Sequence, residues 1–248
     1  MSGTRIRVRT VTITAVLLLA GAGCGGSSAV TAPNTPKQLS ADKALAKQAV
    51  LRQGDLPAGY TGTPHTDSGN NLPPAAEASF LACTHLPRSF LNNSANQQPN
   101  ADAPDFKKGD ITTGPSSEID SSVELDRSSK DISDPLSHLQ EASAAKCFEP
   151  FFQSEIEQGA KDTPGLSLTG LTVRDISIGS VGDQRAAFEG RLTLSASGLS
   201  IPTYFDIYFV RRGRAVVDLT GIGFRQPVSQ VLVKSLLATM VGRLDAAT

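Results

Sequence analysis

A run of alternating residues near the C-terminus constrains the fold of this 248-residue chain more than any other feature. From 186 to 197, Ala, Phe, Gly, Leu, Leu and Ala alternate with Ala, Glu, Arg, Thr, Ser and Ser. Successive side chains of a strand point to opposite faces, so this pattern is typical of a half-buried antiparallel strand. One face of the predicted strand packs on the core, and the other meets water.

Two further strands are predicted at 204–211 and 215–224, where β-branched and aromatic residues are frequent. Gly213 between them permits the left-handed backbone of a tight hairpin turn. With Arg212-Gly213 as the two central turn residues, Tyr208 would lie opposite Val217. Both faces of this hairpin carry apolar residues, which indicates strands near the middle of a sheet.

Helical spacing, capping residues and prolines predict the remaining elements. The predicted helices are 40–52 from a Ser40 cap, 74–83, a long helix from Asp134-Pro135 past Phe152 that Pro150 interrupts, and 227–244. The last helix has a predicted packing stripe of Val228, Val231, Leu232, Ser235, Leu236, Thr239 and Met240. Further strands are expected at 118–125 and 171–178. This order predicts an α+β fold, a single domain with a twisted antiparallel sheet and packed helices.

The N-terminus has the three-part layout of a secretory signal peptide, with Arg5, Arg7 and Arg9 before an apolar run at 11–20 and a small-residue stretch. Ala20-Gly21-Ala22 fits an ordinary cleavage site, whereas Gly21-Ala22-Gly23-Cys24 resembles a bacterial lipobox, although Gly21 stands where leucine is usual. We favour the lipobox, in which Cys24 is acylated. The predicted organisation is a signal peptide at 1–23, a lipidated N-terminus and flexible linker at 24–39, and a domain at 40–248.

The three cysteines agree with this interpretation, because an exported chain with an odd number leaves one unpaired. Acylation accounts for Cys24. Cys83 and Cys147 then form one predicted disulfide, and two buried free thiols are the alternative.

Charge argues against a nucleic-acid partner. Loss of the signal peptide leaves 20 basic against 24 acidic residues, a net charge of −4. A chain that binds nucleic acid normally carries a basic surface. The predicted membrane contact is therefore the acyl group alone, on the extracytoplasmic face of the cell membrane.

Three features resemble the extracytoplasmic sensor-like domains of actinobacterial lipoproteins and receptor kinases. They are the segment Gly54-Asp55-Leu56-Pro57-Ala58-Gly59-Tyr60, the pair Cys83 and Cys147, and the hairpin Phe209-Val210-Arg211-Arg212-Gly213-Arg214-Ala215-Val216-Val217. The resemblance covers most of residues 45 to 246. It implies a cell-envelope domain of unproven ligand. Members with two disulfides exist, but this chain can form only one, and the family supplies no catalytic residues.

No catalytic or metal-binding motif stands out. Ser40-Ala41-Asp42-Lys43 and Ser143-Ala144-Ala145-Lys146 fit S-x-x-K, but neither has the S-D-N or K-T-G partner of that chemistry. Histidines 65, 85 and 138 are far apart in the sequence and lack metal-ligand spacing. The chain is therefore expected to have no enzymatic activity, no cofactor and no metal site.

Tyr204, Asp206 and Tyr208 form the one predicted binding surface, because they share a strand face that combines aromatic area, hydroxyl groups and a carboxylate. The alternative is that the tyrosines belong to the core. The leading functional hypothesis is an anchored envelope protein that binds a small molecule, glycan, lipid or protein partner. A lipid carrier with an internal apolar cavity and an envelope-polymer hydrolase or transferase are the alternatives.

Overall fold

The computed structural model describes residues 35–65, 73–86, 99–126, 129–161, 165–196 and 198–246. Within them the chain forms helices and antiparallel strands, which confirms the predicted α+β class. The helices are α1 Pro36–Ala49, α2 Pro74–Thr84, α3 Ser129–Leu139, α4 Ala144–Lys161 and α5 Gln230–Asp245. The strands are β1 Thr61–Thr63, β2 Asn100–Asp102, β3 Asp105–Lys108, β4 Ser116–Leu125, β5 Ser167–Asp175, β6 Gln184–Ala196, β7 Leu199–Arg212 and β8 Ala215–Phe224. The predicted signal peptide and Cys24 lie outside the described residues.

The strands form one twisted antiparallel sheet in the order β1-β3-β4-β8-β7-β6-β5, with β2 paired to the far end of β4. The last four strands follow one another in chain order as a meander. Strand β4 then pairs with β8 along its whole length, from Ser116 opposite Phe224 to Leu125 opposite Ala215. The hairpin β7–β8 therefore lies in the middle of the sheet, as its apolar composition predicted.

Apolar side chains pack on both faces of the sheet. One core lies against α2, α3 and α4 and includes Phe148, Phe188 and Phe205. The other lies against α1 and α5 and includes Tyr208 and Leu236. We call the two surfaces the α4 face and the α5 face. Every residue of β8 is buried, because both faces of this central strand are covered.

The hairpin differs from prediction in its register by two residues. The turn consists of Gly213 and Arg214, and Arg212 pairs with Ala215. Tyr208 therefore lies opposite Leu219, so the predicted pairing with Val217 is wrong. Gly213 takes the first central position with φ 58°, the backbone that a tight turn with glycine first requires. A shift of two residues leaves every side chain on its predicted face.

The predicted long helix is two helices, separated at 140–143 and not at Pro150. Pro150 lies within α4 on its exposed side, whereas Cys147, Phe148 and Phe151 of the same helix are buried. Water can bind the carbonyl group that the missing proline N–H leaves free, so the helix continues past it.

The outer helices also differ from prediction at their edges. Helix α1 begins at Pro36, because the Thr35 side chain caps it and Gln38 completes a capping box. On α5, Val231 is 80 % exposed and Ser235 is also exposed, so neither belongs to the packing stripe as predicted, whereas Val233 and Leu237 are buried there. Val228, Leu236 and Met240 are buried as predicted.

Cys83 of α2 and Cys147 of α4 are joined in a disulfide, with their Cα atoms 5.7 Å apart. The bond ties the two helices together beside the aromatic cluster of Phe80, Phe148 and Phe151. Among the described residues, no helix has the length and apolarity needed to span a bilayer.

Candidate functional site

The three predicted binding residues lie on the α5 face of β7, but they differ in accessibility. Tyr208 is fully buried, and Asp206 is only 3 % exposed. Tyr204 is half-buried. Gln230, the first residue of α5, donates one hydrogen bond to Tyr208 Oη (2.8 Å) and another to Asp206 Oδ2 (3.1 Å). Tyr208 and Asp206 therefore belong to the contact between helix and sheet, and Tyr204 meets the solvent at its margin.

Polar residues of β5 and β6 extend this surface towards the edge of the sheet. Helix α5 packs on β8 and β7, and Thr172, Arg174 and Arg191 are exposed on the α5 face of β5 and β6, although Ala187 at the start of β6 is buried. The register places Arg174, Glu189 and Asp206 in one cross-strand row, and Thr172, Arg191 and Tyr204 in the next. We call these six residues the polar strip.

An ion pair and a buried carboxyl group define the electrostatics of the polar strip. Arg174 binds Glu189 Oε1 through Nη2 (2.8 Å) and Nε (3.2 Å), and the Arg174 side chain is 62 % exposed. Burial, and next the charge of Glu189, raise the pKa of Asp206 to about 7. Burial, and next the Asp206 carboxyl group, also raise the pKa of Tyr208. Asp206 therefore gains its charge near neutral pH.

Arg191 adds a cation without a described partner. Its side chain is exposed, and it forms no hydrogen bond or ion pair with the described residues. Together with the half-exposed ring of Tyr204, the strip offers a guanidinium donor, a carboxylate acceptor and an aromatic surface within two adjacent rows. Such a mixture suits a ligand with many hydroxyl groups.

A second polar feature lies on the α4 face, at the other side of the sheet. Burial, and next the charges of Asp105 and Glu118, raise the pKa of Asp120 to about 7. Asp218 on the neighbouring strand is also buried, and its burial, and next the charge of Asp120, raise its pKa. His65 Nδ1 lies 2.6 Å from Asp105 Oδ1. These acids are buried in the fold, whereas several residues of the polar strip are exposed.

The other residues that the sequence singled out stay separate. Ser40 and Lys43 are exposed on α1, and Lys146 is exposed at the start of α4. The rings of His85 and His138 lie 6.0 Å apart, and His138 also contacts Glu141. No three His, Cys, Asp or Glu residues of the described segments are arranged to hold a metal ion.

Sequence reasoning missed four residues that shape the site, namely Arg174, Glu189, Arg191 and Gln230. Glu189 and Arg191 lie on the predicted wet side of the alternating strand β6, so a signal for them was present. To predict that Arg174 lies opposite Glu189 requires the exact β5–β6 register, which a bulge between Thr169 and Thr172 shifts. Gln230 lies within the predicted helix 227–244 but outside its predicted packing stripe, so the helical pattern did not direct it to the sheet.

Comparison with known proteins gives structural neighbours but no family. No family model matches the chain, and no curated protein matches it. The extracellular domain of PknH from Mycobacterium tuberculosis is 12% identical, covers 86% of this chain and 98% of its own, and has a TM-score of 0.39. LpqN of the same organism, described as involved in cell envelope biogenesis, is 13% identical, covers 73% and 86%, and has a TM-score of 0.29. At these scores the neighbours show no function for this chain.

Proposed function

We propose that this protein is a lipid-anchored, non-catalytic component of the cell envelope that binds a glycan on the polar strip. The observation that carries the glycan assignment is the exposed part of the α5 face of β5 and β6, with the half-exposed Tyr204 beside Arg191 and Glu189. The anchor assignment depends on Cys24 and the small, flexible residues after it.

The composition of the strip favours a glycan over a lipid. A sugar presents hydroxyl groups at its rim, which guanidinium and carboxylate groups bind, and apolar C–H faces, which an aromatic ring covers. An acyl chain would need a broad apolar surface instead. Thr172, Arg174 and Arg191 are exposed on the strip, and they provide hydrogen-bonding groups rather than apolar area.

Export supports an extracytoplasmic location. The Cys83–Cys147 disulfide suits an oxidising compartment, and the N-terminal sequence has the layout of a signal peptide. A thioether-linked diacylglyceryl group on Cys24, together with an amide-linked chain, would hold the protein at the membrane almost permanently, because each buried methylene contributes about 0.8 kcal/mol.

Direct binding measurements test the glycan assignment. Purified wild-type protein is titrated calorimetrically with a set of soluble neutral oligosaccharides, and the Tyr204→Ala and Arg191→Ala variants follow with the best binder. We expect each substitution to weaken binding about tenfold or more, the loss of one ring contact or one charged hydrogen bond. Arg52→Ala is the matched control, since Arg52 is an exposed arginine just after α1, away from β5 and β6. Equal affinities for all four proteins would contradict the assignment.

A hydrolase is the second candidate, and one observation favours it. Glu189 and Asp206 lie directly opposite each other on β6 and β7, where Cβ atoms are about 5 Å apart. Glu189 is ion-paired with Arg174, whereas Asp206 has a pKa of about 7, and two carboxyl groups in unlike environments are typical of acid and base partners. Asp206 is covered by Gln230, which argues for binding rather than catalysis. New reducing ends in the titrated oligosaccharide, lost in Glu189→Gln, would favour the hydrolase.

A further inference from the structure

A cavity of about 320 Å³ lies at the end of the sheet where β6 begins. Its apolar lining includes Ile176, Ile178 and Ala187, and its polar lining includes Gln140, Ser177 and Arg185. A volume of this order is at the lower end of the range for small-ligand sites and fits a ligand unit the size of one sugar.

The cavity adjoins the polar strip. Ile176 follows Arg174 by two residues on the same face, and its N–H donates to the carbonyl oxygen of Ala187 (3.0 Å). Ala187 likewise precedes Glu189 by two residues on β6. Since two residues of a strand span about 7 Å, one chain-like ligand can lie on the strip and reach the cavity.

The charged group of the cavity lining that remains free to bind a ligand is positive. The side chain of Arg185 is half-buried and has no hydrogen-bond or ion-pair partner among the described residues. Asp183 also lines the cavity, but its carboxylate already accepts from Arg212 Nη1 and from the N–H of Gly213, both at 2.7 Å. The Gly213 amide, more than any other group, lowers the pKa of Asp183. Asp183 is therefore neutralised by the hairpin, and Arg185 is not.

The two glutamine side chains near the cavity are already committed to structure. Gln140 Nε2 donates to the carbonyl oxygen of Arg185 (2.8 Å), and Gln184 Nε2 donates to Ser137 Oγ (2.9 Å). These bonds fix the backbone of Arg185 against the end of α3. The groups left for a ligand are the Arg185 guanidinium and the exposed hydroxyl of Ser177.

We infer that the ligand is an acidic glycan whose carboxylate binds Arg185 in this cavity while its neighbouring units lie on the polar strip. This inference rests on the function proposed above. A guanidinium binds a carboxylate through two parallel N–H donors, and the half-buried position of Arg185 strengthens the contact. A single guanidinium carries one positive charge, which matches one carboxylate better than a doubly charged phosphate.

A matched pair of ligands tests the inference. The full chain is titrated with a neutral oligogalactoside that ends in one galacturonate unit, and with the same oligosaccharide after that single carboxylate has been reduced to a primary alcohol. Wild-type protein is expected to bind the acidic form about tenfold or more tightly than the reduced form, and the preference should weaken as salt rises. Arg185→Gln should bind both forms with equal affinity, whereas Arg52→Gln should keep the preference. Because the Arg185 side chain has no described partner, Arg185→Gln should melt at the wild-type temperature.

The titrations distinguish failure of the acidic-glycan inference from failure of glycan binding itself. Equal wild-type affinity for both oligosaccharides, or a preference that persists in Arg185→Gln, would overturn the acidic ligand and leave glycan binding intact. Failure of the wild-type protein to bind either form would overturn both proposals.

Discussion

The disulfide between Cys83 and Cys147 should supply a large part of the stability of the fold. The two residues are 64 positions apart, so the bond closes a long loop in the unfolded chain. In the chain-entropy description, a loop of this length lowers the entropy of the unfolded state enough to stabilise the fold by about 4 kcal/mol at 25 °C. Whole domains are typically stable by about 5–15 kcal/mol. Loss of the bond should therefore remove between about a quarter and four-fifths of the stability of the fold.

Guanidinium unfolding followed by far-UV circular dichroism measures this contribution, since the chain contains no tryptophan for fluorescence. The oxidised protein is compared with the Cys83→Ala/Cys147→Ala variant and with wild-type protein in reductant. Reduced wild-type protein keeps both sulfur atoms, so it separates the cross-link from the packing of Cys147, which is 1 % exposed. We expect reduced wild-type protein to lose about 4 kcal/mol, and the double variant to lose more because the buried sulfur of Cys147 is also removed. A difference under about 1 kcal/mol between oxidised and reduced wild-type protein would refute the entropic reasoning.

Three further outcomes follow from single residues. Asp206 has a folded pKa of about 7 against 3.8, so it binds a proton more readily in the folded state. The stabilisation that this raised pKa gives is fully present below pH 4. Between pH 4 and 7 it falls by up to about 1.4 kcal/mol per pH unit, and Asp206→Asn should remove this slope from the stability measured in thermal melts. Gly190→Ala would place a Cβ 2.0 Å from the Phe205 ring and should cost about 1–3 kcal/mol in chemical unfolding, whereas Gly114→Ala, with open space around it, should cost far less. Cys24→Ser should move the protein from the membrane fraction to the soluble fraction, and an unchanged distribution would contradict acylation.

Side-chain alternation predicted the faces of β6 correctly because the period of a strand does not depend on which strands lie beside it. Phe188 and Leu192 are buried, and Glu189 and Arg191 lie on the opposite face. Ala187 is an exception, since it is buried on the predicted wet face beneath the α5-side core. Which part of a wet face other segments later cover is not encoded in the strand itself.

The hairpin register was harder to predict, because Gly213 suits either central position of a two-residue turn. Contacts from distant segments distinguish the two choices. Arg212 binds Asp183 and Asp245, and the Gly213 N–H binds Asp183, so the β5–β6 loop and the end of α5 hold the turn in its observed register. A local sequence pattern contains none of these partners.

Burial of charged residues escaped sequence reasoning for a related reason. Glu118 and Asp120 alternate with Ile119 and Ser121 on β4, which favours an exposed polar face. Both acids are nevertheless buried, at 6 % and 8 % exposure. Lys107 Nζ of β3 lies 3.2 Å from Glu118 Oε1. Strand β3 pairs with β4 only in the folded sheet, so the local sequence of β4 does not reveal this partner.

The polar strip could be predicted only in part. The pattern of a single strand predicts Tyr204 and Asp206, but Arg174 comes from β5 and Gln230 from α5. Their meeting depends on the strand order β7-β6-β5 and on where α5 begins, both of which are properties of the assembled sheet. The same holds for the cavity at Arg185, which combines α3 with the β5–β6 loop.

Amide chemical-shift mapping tests the central claim most directly. The ¹⁵N-labelled protein is titrated with the oligosaccharide that binds most tightly, and the shifted amides are placed on the sheet. If the polar strip is the glycan site, the largest shifts will cluster at 172–176, 187–193 and Tyr204. Shifts confined to α1, α2 or α4, with these strands unchanged, would contradict the account.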